Sequence, residues 1–144
     1  MSAIKILLTA FTVVSLFGCA VNSDKYRNIG KALPGTDTAV VSISLDKNGV
    51  PVDGIEKLEL HPGQKVIFAG PSEFVIFFKN KKSPIREVER RSENSVVIIE
   101  IPIDIFKSPE YAEEFRRNKF LRFDYGIRVN GKELDPPMII RSRF

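Results

Sequence analysis

The chain has one histidine, one cysteine and no tryptophan in 144 residues. One imidazole and one thiol leave no room for a His-rich metal cage, a paired disulfide or a conventional nucleophile triad with a spare base. No Gly-x-Ser-x-Gly elbow and no Gly-rich phosphate loop is present. Charge is also thin in one direction: 22 Lys and Arg against 18 Asp and Glu give +4, too little and too dispersed along the chain to read as a nucleic-acid binder on charge alone, so no nucleic-acid partner is expected. What is abundant is phenylalanine, with 11 copies, and proline, with nine, the composition of a compact, aromatic-packed, turn-rich domain. The length suits one domain.

Residues 1–19 differ in kind from the rest. Lys5 is their only charge, and Ile6 to Phe17 is a run of 12 apolar and small residues. A bilayer-crossing helix needs roughly 20 apolar residues, so this run fits the hydrophobic region of a secretory signal instead. It closes on Leu16-Phe17-Gly18-Cys19, which resembles the lipobox of bacterial lipoprotein precursors. The resemblance implies cleavage between Gly18 and Cys19, a diacylglycerol on the Cys19 thiol and usually an acyl group on the new amine. Phe17 is bulkier than the residue commonest there. Cys19 is the only Cys, so the remaining chain would carry no free thiol into an oxidising compartment. Ala20 follows the cysteine; in that family Asp there favours inner-membrane retention, so Ala20 implies an outer-membrane destination, with the domain facing the periplasm. One acyl chain binds a bilayer marginally, at roughly 10⁴ M⁻¹, whereas two or three hold stably. The partner implied is membrane lipid, through acylation of Cys19.

From Ala20 to Asp37 no clean period exists, and residues 19–37 read as the lipidated cysteine and a flexible tether spanning roughly 23 Å, with Tyr26 and Ile29 available to dock on the domain. From Thr38 to Phe144 alternation dominates. Ala39, Val41, Ile43 and Leu45 share one face of a first strand, and Asn48-Gly49 and Asp53-Gly54 are turn dipeptides. Phe74 to Phe78 is apolar on both faces, as in a central strand. Ile85 to Arg91 is charged enough for an edge. Val97, Ile99, Ile101, Ile103 and Ile105 form the cleanest alternation, with Pro102 demanding an edge or bulge. Ser108-Pro109-Glu110 reads as an N-cap and first turn, opening a helix over about 109–118. Leu121 to Val129 and Met138 to Phe144 are the closing strands. Pro136 and Pro137 stiffen the loop before the last one, and either preceding bond is a candidate for cis geometry.

These elements predict a mainly β fold, an antiparallel β-sandwich with one short helix. The Pro62-Gly63 turn entering a strand, followed by Phe74–Phe78, resembles the front half of cupredoxin-like domains; immunoglobulin-like and transthyretin-like sandwiches are the competing topologies. A blue-copper site needs two imidazoles and a thiolate, and with His61, Met138 and no available Cys that ligand set is missing. No metal, no cofactor and no catalytic set is expected. His61 is expected to be a solvent-facing turn residue. Glu113-Glu114 and Glu87/Glu89, interleaved with arginines, read as solvated surface charge. If the strands of Leu121–Val129 and Met138–Phe144 are neighbours, Arg122, Arg128, Arg141 and Arg143 gather as a basic contact face for anionic lipid or an acidic protein. The expectation is a non-enzymatic, membrane-anchored envelope module that binds or assembles with another envelope protein. The alternative is a periplasmic sandwich that binds a small molecule, glycan or metal.

Overall fold

The computed structural model describes residues 28–143; Gly18, Cys19 and Tyr26 lie outside them. Among the described residues twelve strands and one α-helix follow one another: β1 (Ile29–Gly30), β2 (Thr38–Ser42), β3 (Ser44–Leu45), β4 (Pro51–Val52), β5 (Lys57–Leu60), β6 (Lys65–Ala69), β7 (Val75–Phe78), β8 (Glu89–Arg91), β9 (Val96–Glu100), α1 (Ala112–Asn118), β10 (Phe120–Val129), β11 (Lys132–Leu134) and β12 (Pro137–Arg141). A seven-stranded sheet runs β1-β5-β12-β10-β7-β8 with β11 also on β10, and a three-stranded sheet runs β2-β6-β9. β3 and β4 form a small separate hairpin.

The two larger sheets face each other across one apolar core, as expected of a sandwich. The small sheet sends in Ala39, Val41, Val66, Phe68, Val97 and Ile99, and the large one answers with Leu58, Leu60, Ile76, Leu121, Phe123, Tyr125 and Ile140. Phe68 meets Tyr125 across the layers with ring centroids 5.6 Å apart. β10 is the spine: alternation puts Leu121, Phe123, Tyr125, Ile127 and Val129 inward along all ten residues.

Several local expectations are corrected. The pairings are mixed rather than antiparallel throughout, because β1–β5, β5–β12 and β2–β6 run parallel. Side-chain alternation is the same in both kinds of ladder and does not reveal strand direction. The helix begins at Ala112, not Pro109, after turns, with Tyr111 at its N-cap position and no side-chain cap; Ser108 instead closes a 3₁₀ turn, Ile105–Lys107. The alternation from Val97 to Ile105 is cut at Glu100: Pro102 has no N–H for the ladder, and the chain turns out so that Ile103 is exposed. β1 lies inside the stretch read as tether, so Ile29 docks on β5 as expected and the ordered domain starts before Thr38. The charged segment does end at an edge, β8. Every peptide bond among the described residues is trans, including those before Pro136 and Pro137.

Candidate functional site

β10 and β12 are neighbours, and Arg122 lies opposite Ile139 and Phe120 opposite Arg141 in the register, but Arg128 sits at the far end of β10 opposite Val75 and Glu133, so the four arginines are spread along the sheet rather than gathered. Each arginine arrives with a carboxylate. Arg122 Nε donates to Asp124 at 3.0 Å, and Arg128 donates to Glu133 at 2.9 Å and to Glu89 at 3.2 Å. Arg141 lies 3.4 Å from Glu59, and Arg143 donates to Asp37 at 2.6 Å. Arg128 also covers the ring of Phe77 at 4.5 Å, and its two carboxylate partners hold its pKa above the ordinary guanidinium value. A face whose cations are each matched offers little net field to an anionic surface. Asp124, two residues from Arg122 on the same strand, is legible in the sequence; the other partners come from β5, β8, β11 and the segment before β2.

His61 is not a free turn residue. Its Nδ1–H donates to the Arg141 carbonyl at 2.8 Å, tying the β5–β6 turn to the end of β12, while Gln64 Oε1 accepts its backbone N–H at 2.9 Å. Among the described residues no group of three or more His, Cys, Asp or Glu side chains is placed to hold a metal ion.

Two other surfaces stand out. The first is the outer face of the three-stranded sheet. Val40, Ile67 and Ile98 fall in one cross-strand row, since Val40 pairs with Ile67 and Ile67 with Ile98. Val40 and Ile98 are each 49% exposed. A solvated sheet face ordinarily alternates to polar residues; here the same alternation brings three β-branched aliphatics to the surface side by side. The second is an open groove of about 630 Å³ between the loop after β7 and the one after β9, lined by Ser83, Pro84, Ile85, Pro102, Ile105 and Tyr111, with Lys81, Arg86 and Lys107 on its rim. Tyr111 Oη donates to the Ser83 carbonyl at 2.7 Å and closes the groove's inner end; burial pushes its hydroxyl pKa up to about 12, with Glu110 adding to the shift. Lys82 fixes the outer loop, donating to Glu114 at 2.6 Å and to the Arg122 carbonyl at 2.7 Å.

No protein-family model matches this chain, and no curated protein matches it. Among solved structures it is similar to a multicopper oxidase from Campylobacter jejuni, at 15% identity and a TM-score of 0.39, over 82% of this chain and 30% of that one. A likeness that distant brings no activity with it.

Proposed function

We propose that this chain is a lipid-anchored envelope protein that acts without catalysis, as a binding or assembly module for another envelope protein. Anchoring is supported by the apolar run Ile6–Phe17 closing on Leu16-Phe17-Gly18-Cys19, with Ala20 favouring the outer membrane and a periplasm-facing domain. The observation that carries the binding role is the row Val40–Ile67–Ile98. Contiguous exposed aliphatics on an otherwise ordered face mark a contact surface for protein. The paired arginines of β10 lie on the outer face of the other sheet, away from this row. The experiment is photo-crosslinking in intact cells from a reactive residue at Ile98, compared with one at Arg122. The reading expects one dominant protein adduct from position 98 and a weaker yield from 122. Equal, diffuse labelling from both positions contradicts it.

The groove beside Tyr111 supports the second reading, a small-molecule or glycan binder. Among the described residues no ion pair joins its lining cations Lys81 and Lys107 to a carboxylate, unlike the four arginines of the large sheet, while Arg86 acts on the neighbouring Glu87.

A further inference from the structure

We infer that the end of the sandwich bearing Ile103 rests on the bilayer, with Ile103 and Leu33 entering the boundary between headgroups and acyl chains. This rests on the lipid-anchored reading above and adds an orientation to it.

Ile103 is 78% exposed, more than any other large apolar side chain among the described residues, and Leu33 follows at 52%. Ile103 stands on the turn that leaves β9 and is backed by Pro62, Gly63 and Phe106. Gly63 permits that posture: its φ is +83°, and a Cβ there would come within 2.8 Å of Ile103 Cδ1. Leu33 belongs to the same end. Its N–H donates to Thr38 O, the next link is Lys65 N–H to Asp37 O, and Gly63 N–H donates to Ile101 O.

Beside this tip Lys65 faces Glu100 across the strands and Arg143 is paired with Asp37. The contact is therefore apolar and does not call for an anionic surface. A tip of two aliphatic side chains is far short of the roughly 800 Å² per partner that a stable protein interface buries. A bilayer takes such side chains without any matching shape.

Chain length allows the arrangement. Asn28 accepts the Glu56 N–H at the start of β5, and β5 then runs its four residues, about 13 Å, toward the His61–Gly63 turn beside Ile103. From Cys19 to Asn28 the chain spans at most about 30 Å. An acylated Cys19 and the Ile103 tip thus reach one membrane plane.

Because the chain has no tryptophan, Ile103→Trp is a lone reporter. The full, acylated chain is reconstituted into vesicles of phosphatidylethanolamine and phosphatidylglycerol with brominated acyl chains, and its acyl mass is read alongside. The inference expects a blue-shifted emission and about twofold quenching for Ile103→Trp and for Leu33→Trp, unchanged by salt, while Ile98→Trp stays unshifted and unquenched. Acylated protein whose Ile103→Trp and Leu33→Trp emissions match Ile98→Trp overturns the orientation and leaves anchoring intact. Protein recovered without acyl mass overturns the anchoring, and the orientation with it.

Discussion

The ring of Phe77 occupies the space that any side chain at Gly126 would need. The two are register partners on β7 and β10, and a Cβ built on Gly126 would fall inside van der Waals contact with the ring edge. Gly126 lies on the outer face predicted for β10, yet it is buried, because Phe77 folds over it and Arg128 closes over Phe77. Gly126→Ala is expected to destabilise the fold by about 1–3 kcal/mol through overpacking, read as a lower denaturation midpoint with an unchanged m-value.

Tyr125 carries the opposite lesson. Its ring is fully buried, and its hydroxyl finds no hydrogen-bond partner among the described residues, as is true of Asp53 Oδ2. Burial drives the Tyr125 pKa far up, with the Asp53 charge adding to it. An unmet buried hydroxyl costs about 1–3 kcal/mol, so Tyr125→Phe is expected to raise the thermal midpoint. A drop would show that the hydroxyl is satisfied in solution.

Two carboxylates should leave opposite marks on the pH profile of stability. Glu73 accepts from Ser92 Oγ at 2.6 Å and from Ser95 N–H at 2.8 Å, and these bonds lower its pKa below the ordinary 4.5. Its contribution is present above pH 4.5 and is lost as pH falls through the folded value. Asp53 is raised above its ordinary 3.8 by desolvation, against the bond from Ile55 N–H. Its contribution is present below pH 3.8 and is lost as pH rises through the folded value. Glu73→Gln is therefore expected to weaken the neutral-pH fold and to match the parent in strong acid. Asp53→Asn should gain on the parent as pH rises. Both are read by denaturation across the acid range.

The arginine face makes a third kind of prediction. Arg128→Glu sets a new carboxylate against Glu89 and Glu133 and uncovers Phe77. It is expected to lower the thermal midpoint while leaving vesicle association at the parent level. Loss of association with an unchanged midpoint would restore the anionic-surface role.

Much of this was legible from residue order, and the failures have physical causes. The β10 alternation, the central Phe74–Phe78 strand and the charged edge at β8 were readable because side-chain period and burial are local properties of the chain. The parallel pairings were not, since direction is decided between segments far apart in sequence. Ile103 continued a perfect period, and only the missing N–H of Pro102 explains why it turns out to solvent. Apart from Arg122 with Asp124, the paired arginines needed segments separate in sequence to meet, which no local pattern carries. The row Val40–Ile67–Ile98 was equally hidden: each residue fits its own strand, and only the sheet order β2-β6-β9 lines them up.

The anchoring at Cys19 underlies both the partner-binding and the bilayer-facing proposals, and one measurement reaches it directly. The N-terminal peptide of the chain extracted from membranes is analysed by mass spectrometry, with Cys19→Ser in parallel. The account predicts a peptide beginning at Cys19 and carrying two or three acyl chains, with the Cys19→Ser variant left uncleaved at that site and unacylated. A parent chain that begins elsewhere or carries no acyl mass, or a Cys19→Ser variant that is still trimmed and membrane-held, contradicts it.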